Sequence, residues 1–128
     1  MRLLLDTCTF LWALAEPARL SDKARAAVAD AAAEVYLSAI SAWEIAVKQS
    51  RGHLELSEPA AQYVPKYREA LRLLELPLDE ASALQVARLP KAHKDPFDRM
   101  LVCQAITHGM AIVTPDPLIN QYPVRVLW

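Results

Sequence analysis

Glycine is almost missing from this chain: only Gly52 and Gly109 occur in 128 residues. A glycine-rich loop that cradles phosphates cannot be built from two such distant residues, so nucleotide-binding P-loop and dinucleotide-binding readings fall. Cysteine is scarce as well. Cys8 and Cys103 stand far apart with no CxxC or Cys/His metal spacing around them, which reads as two buried, reduced thiols. His53, His93 and His108 have no HExxH or comparable spacing and read as surface or internally satisfied histidines rather than metal ligands. Ser38 and Ser41 lie in no GxSxG elbow, so a serine nucleophile of that kind is excluded. No run approaches the roughly 18 to 20 apolar residues of a membrane span, and Asp6 interrupts the apolar N-terminus before it could serve as a signal-peptide core. A cytosolic protein without membrane association is expected. Neither sign of charge dominates. The net charge is -1, so any nucleic-acid contact must come from local patches rather than from the field of the whole protein.

What is present is the balance of a folded domain, 54% apolar and 23% charged. The length suits one domain over residues 1–128, and no repeat, low-complexity tract or Ser/Gly linker divides it. Met1 to Leu5 is a short apolar run ending in Asp6, which predicts a buried strand, followed by a helix over 7–15 up to Pro17. Ser21 is placed to cap a helix over 22–32. EVYLSAI reads as a strand running into the helix SAWEIAVKQSRG, stopped by Gly52. Pro59 opens a helix to about Leu71, RLLEL reads as a strand, and Asp79 caps a helix that ends before Pro90. The most apolar helix spans 96–108, with Gly109 just beyond it. MAIVT then forms a strand, TPDP a turn and VRVLW a possible last strand. Strands alternating with helices predict an α/β fold with a mainly parallel sheet covered on both faces.

Ligands gather at the carboxyl ends of strands in such sheets, and four acids fall there. Asp6 follows the first strand, Asp116 lies just past MAIVT, Glu44 is one turn into the helix after VYLSA, and Asp98 opens the helix before MAIVT. Each also has a purely structural explanation. Asp6 could cap the helix from Thr7, and Asp116 could be the acid of a Pro-Asp turn. Ser41-x-x-Glu44 fits a capping box, and Asp95-Pro96-x-Asp98 puts a capping acid, a first-turn proline and an N3 acid in their preferred slots. Four caps need not share one edge of a sheet, however, and crowded carboxylates raise one another's pKa unless a cation neutralises them. A hard divalent ion such as Mg²⁺ would do so. Asp79 also follows a strand and opens a helix, but nothing else gives it chemistry. Lys48 reads most simply as an i,i+4 partner of Glu44. Together with Arg51, Lys91, Lys94 and Arg99 it brings positive charge to the acidic edge, as a phosphodiester substrate would need. Phosphorelay receivers are a poor match: they require paired acids after the first strand and a lysine after the last, and neither is present.

The blocks LLLDTCTFLW, SAISAWEIAVK, HKDPFDRMLVCQA and IVTPDP, with a closing VLW, resemble the PIN-domain ribonucleases, specifically the VapC toxins of type II toxin-antitoxin pairs. The likeness covers essentially the whole chain. It implies a three-layer α/β/α sandwich and an acidic site binding Mg²⁺ or Mn²⁺. Its aspartates and glutamate fall on Asp6, Glu44, Asp98 and Asp116, with Asp95 a second-rank candidate and Asp79 without a counterpart. Asp6 and Asp98 are the expected direct ligands, and Thr114 could support them. Lys48, Arg51, Lys94 and Arg99 are candidates for contacting RNA. Pro115 departs from the pattern, since many relatives carry a basic or small residue there. The implied activity is metal-assisted hydrolysis of RNA phosphodiesters, with a cognate antitoxin and a second copy of the chain as partners. Two rival readings are a metal-dependent phosphoesterase acting on structured nucleic acid and a catalytically weak PIN fold that serves partner binding.

Overall fold

The computed structural model describes residues 1–128. Five strands, β1 (Arg2–Leu5), β2 (Glu34–Ser38), β3 (Leu74–Leu76), β4 (Ala111–Val113) and β5 (Val126–Leu127), form one sheet in the order β3-β2-β1-β4-β5. Every pairing is parallel; Leu4 of β1, for example, is flanked by Tyr36 and Ile112. Successive strand side chains point to opposite faces, and both faces here are apolar. Leu3, Leu5, Val35, Leu37, Ala111 and Val113 pack under α1 (Thr7–Ala15), α2 (Asp22–Ala29) and α4 (Ala60–Ala70), while Leu4 and Ile112 pack under α6 (Pro96–His108). The three-layer α/β/α arrangement expected from the sequence is therefore present. No helix is long and apolar enough to cross a membrane.

Several element ends differ from the sequence reading, the last strand shrinking to Val126–Leu127 among them, and four differences have a local reason. The second strand ends at Ser38 rather than Ile40, because the Ser38 hydroxyl accepts the N–H of Ile40 and starts α3 (Ala39–Ser50) there. Helix α2 ends at Ala29 because Asp30 turns the chain, its carboxylate accepting the N–H of Ala32. The helix before Pro90 is α5 (Glu80–Gln85) followed by a 3₁₀ turn over Val86–Arg88. The third strand starts at Leu74 because Arg72 has φ 57°.

Arg72 and Gly52 occupy equivalent places. After α3, Gly52 (φ 72°) donates to the Gln49 carbonyl and His53 to that of Lys48; after α4, Arg72 donates to Glu69 and Leu73 to Arg68. Both are Schellman closures, whose left-handed residue favours glycine. Arg72 bears a Cβ penalty of about 1 kcal/mol that glycine would not. Arg72→Gly is accordingly expected to raise stability by up to about 1 kcal/mol, read as a higher thermal midpoint; an unchanged or lower midpoint would show that the Arg72 side chain compensates for the strain.

Strand order places the site. The chain winds outward from β1 to β2 and β3, then returns to the other side of β1 with β4, so the switch point lies between β1 and β4, where α/β sheets open a crevice. Asp6 ends β1, and Thr114 with Asp116 ends β4. Asp79 follows β3, at the far edge.

Candidate active site

Asp6 is buried, with only 5% of its surface exposed. Its side chain makes no capping bond to α1. Instead Oδ2 accepts the Thr114 hydroxyl at 2.6 Å and the Cys8 thiol at 3.5 Å. Thr114 also accepts the backbone N–H of Asp116 at 3.1 Å, so one hydroxyl ties the ends of β1 and β4 together. Burial raises the Asp6 pKa; the Thr114 and Cys8 bonds oppose that rise and the Glu44 charge adds to it. The neighbouring Cys8 thiol is pushed up to about 12 by burial and then by Asp6, so it stays protonated and is no nucleophile.

Glu44 does not belong to a capping box, since α3 begins two residues before Ser41 and is capped by Ser38. It lies in the helix interior, 4% exposed. Lys48 bonds Oε2 of Glu44, whereas Oε1 is buried and has no protein partner. Burial works against the Lys48 charge, but its bond to Glu44 and the charges of Glu44, Asp95 and Asp98 outweigh this and raise its pKa.

The stretch HKDPFDRM separates its two aspartates by role. Asp95 caps α6, its Oδ1 accepting the N–H groups of Phe97 (2.8 Å) and Asp98 (3.3 Å), with Pro96 at the first helical position. Asp98 spends its carboxylate elsewhere, with Oδ2 at 3.0 Å from Nε2 of His93. Its pKa is raised to about 7 by burial first, then by the charges of Asp6, Asp95 and Glu44, with His93 opposing. Asp116 has Oδ2 at 3.1 Å from the same His93 nitrogen, while its Oδ1 accepts the N–H of Leu118. Asp116 is thus a turn acid and a site acid at once.

Asp6, Glu44, Asp95, Asp98 and Asp116 line one open cleft of ≈ 340 Å³, together with Lys48 and His53. The sequence reading assembled these acids, but it left His93 as a surface or satisfied residue. It is satisfied, but by two acids of the site. No spacing rule marks it; its place comes from the loop before Asp95, which the Tyr122 hydroxyl and Arg99 hold against the site. His108 is satisfied outside the site by Asp79, at 2.8 Å, and Asp79 also accepts the backbone and side-chain groups of Ser82, which makes it a cap. Cys103 is buried as expected, whereas Cys8 is only partly so. Among the cations, Lys48 alone lines the cleft. Arg99 points its guanidinium at the Pro90 carbonyl (2.9 Å), the His93 carbonyl (3.5 Å) and the Tyr122 hydroxyl (3.3 Å), holding a loop rather than facing a substrate. Arg51, Lys91 and Lys94 are exposed.

Comparison with known proteins identifies the family and the fold. The PIN-domain family model matches residues 3–124. Ribonuclease VapC22 of Mycobacterium tuberculosis is 32% identical over 119 residues, spanning 93% of this chain and 90% of that protein. Among solved structures, VapBC2 from Rickettsia felis bound to a DNA fragment from their promoter superposes with a TM-score of 0.73 at 16% identity, covering 98% of this chain and 97% of that one. FitAcB from Neisseria gonorrhoeae gives 0.60 at 23% identity, with 97% and 95% covered. VapBC-1 from nontypeable Haemophilus influenzae gives 0.63 at 15%, with 98% and 96% covered. With the acids of β1, α3, α6 and β4 converging on one cleft, the chain belongs to the PIN-domain family, among relatives of the VapC ribonucleases.

Proposed function

We propose that this protein is a divalent-metal-dependent endoribonuclease, the toxin of a type II toxin-antitoxin pair, which hydrolyses phosphodiester bonds in single-stranded or loop RNA. The observation that carries the reading is Glu44 Oε1, buried without a partner beside Asp6 and Asp98. A buried carboxylate oxygen left unpaired costs about 1–3 kcal/mol, and a cation held by the cleft offsets that cost. The fit is chemical: Asp6, Glu44 and Asp98 offer hard oxygen donors, suited to Mg²⁺ or Mn²⁺, and Asp116 adds a fourth carboxylate at the rim. Such an ion, when bound, supplies an acidified water and neutralises charge developing on the phosphoryl oxygens.

The remaining work falls to the chain. Thr114 and Cys8 hold Asp6 by Oδ2, so a rigid strand end presents this carboxylate. Lys48 remains charged against Glu44 and offers its ammonium to the scissile phosphate, while Arg51 and Lys94 offer salt-sensitive contacts to the flanking backbone. With the Cys8 thiol protonated and no serine elbow in the chain, no side chain forms a covalent intermediate, and water is the attacking group. An antitoxin is the proposed protein partner, and a homodimer the proposed assembly, both from the VapC relationship.

The test is cleavage of matched single-stranded RNA and DNA oligonucleotides with Mg²⁺, with Mn²⁺ and after exhaustive EDTA treatment. RNA cleavage that needs either metal is expected. Undiminished cleavage in EDTA would sink the mechanism, and preferential cleavage of DNA would reassign the substrate.

A further inference from the structure

His93 lies within the acidic site, and the residues around it fix which ring nitrogen faces the acids. Its Nδ1 accepts the backbone N–H of Asp95 at 3.2 Å. A backbone amide can only donate, so Nδ1 is the accepting nitrogen and Nε2 is the one that faces the acids as a donor. That nitrogen hydrogen-bonds Oδ2 of Asp116 at 3.1 Å and stands at 3.0 Å, ion-pair distance, from Oδ2 of Asp98. The backbone of His93 is held too: its N–H donates to the Tyr122 hydroxyl at 2.7 Å, and Arg99 grips both that hydroxyl and the His93 carbonyl.

We propose that His93 is a positioning residue of the metal site and not a ligand: its Nε2 side hydrogen-bonds Asp116 and lies at ion-pair distance from Asp98, holding two mutually repelling carboxylates in register. The inference rests on the metal-dependent reading above. Three atoms of His93, Asp98 and Asp116 are close enough to share an ion, but ligation through Nε2 would move the proton to Nδ1, against the Asp95 N–H. The ring would then lose the bond that orients it. As a bridge, His93 needs no such rearrangement.

The experiment compares His93→Gln, His93→Asn and His93→Ala. A glutamine amide nitrogen reaches about where Nε2 lies, whereas the asparagine nitrogen reaches only to Nδ1. His93→Gln is expected to keep Mn²⁺ affinity, measured by calorimetry, within about threefold of wild type, while His93→Asn and His93→Ala weaken it by about 10–100-fold, the usual range for residues that orient ligands. Thermal melts in EDTA identify any variant that fails to fold, and His93→Gln then carries the comparison through electron spin echo spectra of bound Mn²⁺. A directly bonded imidazole nitrogen in wild type that vanishes in His93→Gln overturns the bridging role. Equal Mn²⁺ affinity in wild type and His93→Ala overturns it as well, and leaves the ribonuclease reading standing. Failure of wild type itself to bind Mn²⁺ removes the metal reading and this inference together.

Discussion

Asp98→Asn is expected to reduce RNA cleavage about 10²–10³-fold while leaving the metal-free protein more stable than wild type. The two effects have one cause. Asp98 is crowded by Asp6, Asp95 and Glu44, and the proposed cation would make that crowding favourable. Exchanging a carboxylate of the proposed metal site for an amide should remove several kcal/mol of charge stabilisation in the reaction, which at about 1.4 kcal/mol per decade gives the stated loss. Without metal the same exchange relieves repulsion. Burial and like charges raise the Asp98 pKa from 3.8 to about 7, so between those values the folded state holds a proton that the unfolded state has released. Stability therefore falls as pH rises through that window, with the penalty absent below pH ~4 and complete above pH ~7. The advantage of Asp98→Asn in EDTA should accordingly be near zero at pH ~4 and grow to about 1–2 kcal/mol above pH ~7, after allowance for solvent screening in an open cleft. Melts in EDTA across that range test it. A variant less stable than wild type at every pH would show that the Asp98 carboxylate is structural.

Asp95 supplies the control within the same helical turn. Its Oδ1 takes two backbone N–H groups, a task that asparagine performs about as well. Asp95→Asn should cleave RNA nearly normally, and Asp95→Ala should lose about 1 kcal/mol of stability. If Asp95→Asn were inactive and Asp98→Asn active, cap and ligand would have to be exchanged.

The sequence exposed much of this because its punctuation is strong. Apolar runs of strand length, prolines at element ends and Gly109 beyond α6 mark the elements locally, and alternation of strand with helix implies the parallel sheet. Strand order was not legible, because it depends on pairings between distant segments. That order separates Asp6 and Asp116, at the switch point, from Asp79, two strands away at the edge. The structural explanations of the acids also needed coordinates. Ser38 rather than Ser41 starts α3, which frees Glu44 from capping, and the Asp6 side chain turns to Thr114 instead of to its helix. His93 escaped notice because its place arises from a loop held by Tyr122 and Arg99, and loops carry no periodicity.

Gln104 was equally illegible, a polar residue inside the buried helix α6, and its removal should produce the largest loss of stability considered for this fold. It is fully buried. Its Oε1 accepts the Ser38 hydroxyl and its Nε2 donates to the Pro77 carbonyl at 3.2 Å. One amide thus fastens α6 to the ends of β2 and β3, and Ser38 in turn starts α3. The helices that carry Asp98 and Glu44 meet through this contact. Gln104→Ala removes a side chain about the size of methionine, for which truncation in a core costs about 2–5 kcal/mol, and it strands a hydroxyl and a carbonyl that cost about 1–3 kcal/mol when unpaired. Partial collapse and entry of water will recover some of this, so about 3–5 kcal/mol is expected in total. Gln104→Met keeps the volume and loses only the polar partners, about 1–3 kcal/mol. Urea unfolding of both variants in EDTA separates packing from hydrogen bonding, since metal binding no longer contributes. A loss below about 1 kcal/mol for Gln104→Ala would mean that the amide does not couple the two helices. If it does couple them, Gln104→Met should also bind Mn²⁺ more weakly while still folded, because Glu44 and Asp98 would no longer be held in register.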